Sequence, residues 1–292
     1  MFGQHNAIEW ELACNQPSHG RLYERQINEG YLKGRIIHVW VPTHYSKSKK
    51  SYNVIYFHDG QMLFDSTITW NHQSWDLDKA MNEHLRRRKI ILVGIDNNPT
   101  HRYAEFFPSP IYAALPTSVQ LTLRDSLWNG LPRFDLYANA LITDVFPLIE
   151  TSWNVNRGGQ YRTMAGSSMG AIVSLSFLLT RPHELNGVAC LSMHLPLINE
   201  WQFKDRFKEP LATAFNQFVR EKGNDVIGKK IYIDRGDLSL DAAYAPYFPA
   251  FEESLNPMRK NNHVWLRLIP NSGHSERDWA KRIGSILKLV TK

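Results

Sequence analysis

Cysteine is scarce in this chain. Cys14 and Cys190 are the only two among 292 residues, far apart and in dissimilar contexts. Two such residues cannot build a disulfide framework or a cysteine-based zinc site, and a reducing, cytoplasmic setting is the default expectation. Long apolar runs are missing too. No stretch reaches the roughly 18 residues that a membrane-spanning helix needs. The first residues, Met1-Phe2-Gly3-Gln4-His5, carry neither a basic opening nor a long apolar segment, so no signal peptide is expected. Internal repeats and low-complexity linkers are likewise absent. What remains is 43% apolar and 21% charged residues, enough for one sizeable core and incompatible with a disordered chain.

The net charge of +6 invites a nucleic-acid reading. The basic residues, however, fall in two short clusters, Lys47-Ser48-Lys49-Lys50 and Arg86-Arg87-Arg88-Lys89. Each precedes an apolar strand-like run, where solvated loop ends and helix C-termini belong. Neither a nucleic-acid partner nor a membrane partner is expected.

Short β-branched runs alternate with longer helical patterns. Strands are predicted at Ile36–Val41, Asn53–His58, Ile90–Asp96, Tyr161–Ala165, Gly187–Ser192, Lys230–Asp234 and Val264–Ile269. Helices are predicted near 76–88, 137–152, 169–180, 201–222, 242–260 and 275–290. Continuous apolar runs such as Ile90-Ile91-Leu92-Val93 suit strands covered on both faces of a parallel sheet. The alternation predicts an α/β fold, with antiparallel pairing plausible at the first run. From 97 to 132, five prolines and several aromatics read as an irregular stretch, an ordered loop or small lid over a cleft. A second excursion, 193–228, is expected to hold a helix and cover the same end of the sheet.

Gly166-Ser167-Ser168-Met169-Gly170 fits G-x-S-x-G. The spacing has a physical reason. A sharp strand-to-helix turn leaves the central serine strained and exposed, and small neighbours let backbone approach closely. A strand pattern precedes this segment and an apolar helix pattern follows it, as the turn requires. Ser167 competes as nucleophile, but only Ser168 has glycine at both flanking positions. The chain order serine, acid, histidine then directs attention downstream. His274, in Asn271-Ser272-Gly273-His274, follows the last predicted strand and can reach back as base. His263 lies upstream of that strand and is discounted. Of three nearby aspartates, Asp234 lies within or at the end of the strand, while Asp237 and Asp241 stand in the loop or helix start where the acid belongs; Asp241 also reads as a helix cap.

An oxyanion hole takes one N–H from the residue after the nucleophile, Met169, and one from an early loop. The loop after Tyr56-Phe57-His58-Asp59-Gly60-Gln61 supplies Gln61 N–H, with Gly60 allowing the turn. His58 reads as a structural loop histidine. No metal-ligand spacing links His58, His72, His101 and His194, so neither a metal nor an organic cofactor is expected. Trp70, Trp75, Arg102, Phe106, Tyr112, Trp128 and His194 are candidates for the rim of the cleft, or equally for lid core. Of these, Trp75, Arg102 and His194 are the expected substrate contacts.

Together these segments resemble the putative esterase family of α/β-hydrolases, which includes esterase D-like, feruloyl esterase-like and siderophore esterase-like enzymes. The resemblance runs from about Arg35 to Arg282. It rests on Tyr56–Asp65, Ile91–Asn97 followed by Arg102–Phe106, the Gly166–Gly170 turn, Leu240–Tyr247 and Gly273–Trp279. Ala171 stands where many members have a further glycine. The resemblance implies a single α/β-hydrolase domain over 1–292. It also implies ester hydrolysis on small-molecule substrates, with Ser168 as nucleophile, Asp241 as acid and His274 as base. A siderophore trilactone esterase and an acyltransferase using the same residues are the alternatives. Some siderophore-esterase relatives work with a serine–histidine dyad.

Overall fold

The computed structural model describes residues 9–47, 51–81, 88–128, 130–198 and 207–291. Among these, nine strands form one sheet in the order β1-β2-β3-β5-β4-β6-β7-β8-β9. They are β1 (Glu11–Leu12), β2 (Arg21–Gln26), β3 (Ile36–Val41), β4 (Asn53–His58), β5 (Ile90–Ile95), β6 (Arg162–Ser167), β7 (Gly187–Leu191), β8 (Lys230–Gly236) and β9 (His263–Ile269). Pairing is antiparallel from β1 through β3 to β5 and parallel from β5 onward. This is the α/β-hydrolase arrangement. All seven predicted strands form, with ends shifted by a residue or two. The added pair β1 and β2 is polar and lies at the sheet edge, so it carries no apolar run to announce it.

Alternate residues of the central strands feed two cores, one on each face. Val54, Tyr56, Ile91, Val93 and Met164 face one, whereas Ile55, Phe57, Leu92 and Ala165 face the other. Both faces are covered, which is why these strands read as unbroken apolar runs. The helix Met169–Thr180 is buried almost all round. The opposite face is covered by Glu276–Val290, through Trp279, Ile283, Ile286 and Leu287.

The stretch from 97 to 132 is helical rather than irregular. It forms Arg102–Phe106, Ser109–Ala114 and Thr117–Leu123, followed by a π-helical turn. Pro108 and Pro116 cap helix starts and Pro110 occupies a first-turn position, where a missing N–H costs nothing. Ile111, Leu115, Val119 and Leu123, four residues apart, join the main core. The predicted helix at 242–260 is broken instead into short pieces, each with proline in its first turn after the first piece. The helix predicted at 201–222 is seen as Lys208–Gly223, with 201–206 outside the described residues. The helix predicted at 76–88 is seen as Leu77–Ala80, with 82–87 likewise outside. Residues 48–50 of the first basic cluster and 86–87 of the second also fall there.

Because β4 and β6 to β9 run parallel, the turns after His58, Ser167, Leu191, Gly236 and Ile269 gather at one end of the sheet. Such carboxyl ends are where open α/β sheets place their sites.

Candidate active site

Strand β6 turns directly into the helix Met169–Thr180, and Ser168 stands at the corner with φ 56° and ψ −124°. Such a conformation costs about 1–3 kcal/mol and persists only where the surroundings enforce it. The glycine at 166 is a steric necessity: a Cβ there would lie 2.5 Å from the backbone of Gly170. At Gly170 a Cβ would meet His58 and Asp59 at an ordinary 3.5 Å, which places the turn after β4 against the start of this helix. Ser168 N–H donates to the Leu191 carbonyl at 3.0 Å, tying the corner to the end of β7. The Ser168 side is half-buried, open enough for its hydroxyl to meet a ligand.

Two further loops converge here. A Cβ on Gly236 would fall on the Ser272 carbonyl, so the chain after β8 and the chain after β9 touch. Asp237 and Leu238 N–H groups donate to that same carbonyl. His274 N–H donates to Ser239 Oγ at 2.9 Å, and His274 Nδ1 lies 2.6 Å from Asp241 Oδ1. An ionised carboxylate only accepts, so Nδ1 carries the proton and Nε2 presents a lone pair. The imidazole is flanked edge to face by Tyr244, 5.8 Å away, and by Trp279, 5.2 Å away.

The three aspartates have different neighbours. Asp241 is fully buried and accepts from His274, Ser192 Oγ (2.6 Å) and Gly236 N–H (2.6 Å). Burial opposes its ionisation, but His274 and these donors prevail and hold the carboxyl below its ordinary range. Asp234 is equally buried and is paired with Arg282, at 2.8 Å and 3.0 Å. Burial pushes its carboxyl up, against the pull of that guanidinium. Asp237 is exposed and, among the described residues, accepts only from Ser272 N–H, at 3.3 Å. His263 sits at the far end of β9, opposite Lys230.

After β4, Asp59 adopts a left-handed conformation at φ 58° and a 3-10 turn, Gly60–Met62, follows. A Cβ on Gly60 would press to 2.8 Å on the Gly94 backbone. The Asp59 carboxylate takes two bonds from Arg102, at 2.7 Å and 2.8 Å, and one from Asn97 Nδ2 at 2.6 Å. Burial works against ionised Asp59, yet Arg102 and Asn97 hold its carboxyl below the usual range. Gln61 N–H and Met169 N–H have no hydrogen-bond partner among the described residues. Two backbone donors are thus available at the turns beside Ser168.

The histidine at 58 is buried, with Nδ1 2.8 Å from Tyr137 OH, and burial pushes its pKa down to about 4. His194 is saturated. Nε2 faces the Ile198 carbonyl at 3.0 Å and must donate, so Nδ1 accepts from Tyr244 OH at 2.6 Å. Burial pushes its pKa down to about 3. Arg102 is committed to Asp59. The expectation that Trp75 rims the cleft is corrected: it is 3% exposed and packs between Phe57 and Trp279. Phe106 and Trp128 are core as well, because apolar rings in helices of the 97–132 region pack inward. Trp70, by contrast, is 83% exposed. Ser192, Tyr244, Trp279 and Arg282 escaped the sequence reading. No spacing rule connects residues 87 to 90 positions apart, as in the Trp279 and Arg282 bonds to Ser192. Among the described residues, no group of three or more histidine, cysteine or acidic side chains is arranged to hold a metal ion. No helix is long and apolar enough to cross a membrane.

A family model described as Putative esterase matches residues 34–288. The uncharacterized protein YbbA of Bacillus subtilis (strain 168) is 27% identical over 154 residues, 53% of this chain. That match spans about half of the relative's own length, 54%. Among solved structures, an IroE-like serine hydrolase from Shewanella oneidensis is similar, with TM-score 0.65 and 17% identity. The match covers 92% of this chain and 79% of that one. The enterobactin esterase of Shigella flexneri is similar at TM-score 0.63 and 16% identity, over 93% of this chain and 59% of that one. An S-formylglutathione hydrolase from Agrobacterium tumefaciens gives 0.61 and 14%, over 96% and 98%. At these identities the three structures speak for the fold.

Proposed function

The chain belongs to the putative esterase family, and from that premise we propose that it is a serine hydrolase cleaving carboxylic esters through an acyl-enzyme on Ser168. The observation that carries this reading is the bond from His274 Nδ1–H to buried Asp241, in the loops that meet beside a strained serine at a strand–helix corner. The bond leaves Nε2 as the base. His274 takes the Ser168 proton while Oγ attacks the acyl carbon. Asp241 holds the tautomer and stabilises the imidazolium that forms. Gln61 and Met169 N–H groups receive the tetrahedral oxyanion, each donor being worth about 3–4 kcal/mol in such sites. The imidazolium returns its proton to the leaving alcohol, and water, activated the same way, releases the acid. No step calls for a metal or an organic cofactor.

In this reading Arg102 fixes the Asp59 turn that aims Gln61, and His194 buttresses Tyr244, so neither is a free substrate clamp. The sheet unites the whole site, which supports one α/β-hydrolase domain over 1–292. A cytoplasmic setting is in keeping with two free cysteines. Ser168→Ala is expected to lower kcat on p-nitrophenyl acetate on the order of 10⁶-fold with the fold intact. Turnover near that of the wild type in a folded variant would sink the assignment. A profile over short-acyl esters, feruloyl esters and siderophore lactones then assigns the natural ester.

A further inference from the structure

One residue outside the proposed triad touches its acid directly. Ser192 follows β7, is fully buried, and holds φ at 44°, a conformation costly for a side-chain-bearing residue. Its hydroxyl lies 2.6 Å from Asp241 Oδ2, 2.8 Å from Trp279 Nε1 and 3.0 Å from Arg282 Nη2. Indole and guanidinium nitrogens only donate. They occupy both lone pairs of Oγ, so its single proton has one place to go, the Asp241 carboxylate. The backbone is pinned as well: Ser192 N–H donates to Asp234 Oδ1 at 2.8 Å, and Asp234 is itself paired with Arg282.

We propose that Ser192 is a positioning residue of the hydrolytic site, a hydroxyl whose direction is set by Trp279 and Arg282 and which fixes the orientation and basicity of Asp241. The inference rests on the triad reading above. Asp241 faces His274 on one oxygen and Ser192 with Gly236 N–H on the other, and the nearest charges behind Ser192 are the Arg282–Asp234 pair. Two donors on Oδ2 draw negative charge away from Oδ1. They also stop the carboxylate from rotating off the imidazole. Removing the hydroxyl concentrates charge on the oxygen facing His274, which favours imidazolium and raises the pH at which the base becomes free. The same loss leaves Trp279 Nε1–H and Arg282 Nη2–H without this acceptor.

The test compares full-length wild type with Ser192→Gly and Ser192→Cys. Glycine accepts the positive φ without strain, and the thiol is a weaker donor than the hydroxyl. With p-nitrophenyl acetate, Ser192→Gly is expected to lose about 10- to 100-fold in kcat, the range of one hydrogen bond to a charged group. The acid limb of kcat/KM is expected to move up by about one pH unit. The C2–H signal of His274, followed by NMR, is expected to titrate upward by the same amount, and Ser192→Cys to fall between glycine and wild type. A folded Ser192→Gly protein with an unmoved acid limb and an unmoved His274 titration overturns the proposal, whatever its kcat, because lost packing alone lowers turnover without changing the histidine. A wild type that hydrolyses no ester in a Ser168-dependent manner overturns the triad reading instead, and the NMR titration then still decides whether Ser192 acts on the Asp241–His274 pair.

Discussion

Two histidine–carboxylate pairs stand at different corners of the same sheet. His38, on β3, lies between Glu24 Oε1 at 3.0 Å and Asp96 Oδ1 at 2.7 Å, so both of its ring nitrogens are occupied by carboxylates. His274 meets one carboxylate, through Nδ1, and its Nε2 has no partner among the described residues. Burial works against a charged His38, but the two acids overcome it and raise its pKa to about 9. A histidine gripped on both sides remains protonated at neutral pH and serves as a cation that ties β2 to the turn after β5. One gripped on a single side has a tautomer set for it and a nitrogen left to take a proton. His58 and His194, which burial keeps neutral, offer the third arrangement. The residue type is the same throughout, and the number and sign of the partners separate structural from reactive use.

The largest test of this contrast is Asp241→Asn. It should lower kcat on the order of 10³–10⁴-fold by setting the wrong tautomer of His274, whereas Asp237→Asn should stay near wild type in the same assay. Equal losses in the two variants would break the contrast among the acids. Next in size is Trp75→Ala, which opens a cavity beneath Trp279. A loss of about 3–5 kcal/mol in denaturant unfolding is expected, with KM for a small ester near that of wild type. A KM effect without a stability effect would return Trp75 to the cleft.

Smaller still is His38→Gln, expected to cost about 1–3 kcal/mol of stability and to register in Tm rather than in kcat. The pH dependence has a definite sign. The His38 pKa is raised in the fold from 6.5 to about 9. Its contribution is therefore fully present below pH 6.5 and is lost as pH rises through 9. Tm should fall across that window in the wild type, and His38→Gln should remove this part of the slope. An identical slope in both proteins would show that His38 is not the titrating cation. The smallest effect belongs to Trp70→Ala, expected to change stability by no more than about 0.5 kcal/mol because the ring is exposed.

Much of the molecule is legible in the sequence alone. Apolar runs announced the inner strands from β3 to β8, since a strand covered on both faces leaves no room for polar residues; β9, at the far edge of the sheet, was predicted too although it is only partly covered. Gly166 and Gly170 marked the turn; only glycine fits at 166, where a Cβ would strike the Gly170 backbone, whereas a Cβ at 170 would make ordinary contacts. The polar edge strands β1 and β2 were invisible, because partly solvated edges impose no apolar pattern. The 97–132 stretch misled through its prolines, which start helices there. Between Asp237 and Asp241, with Asp234 close by at the strand end, residue type and position left the choice open. The structure sets Arg282 against Asp234, exposes Asp237 and brings His274 to Asp241.

The sequence by itself determined the class of fold, the order of the seven strands from β3 to β9 and the local turn at Ser168, because these follow from periodicity and backbone sterics within a dozen residues. Tertiary structure alone decided which aspartate meets which cation, that Arg102 is spent on Asp59, and that Ser192, Trp279 and Arg282 stand behind Asp241. Those pairings join side chains dozens of positions apart, and no local propensity encodes them. They arise only when parallel strands bring the ends of β4, β6, β7, β8 and β9 to one edge and burial obliges each polar group to find a partner.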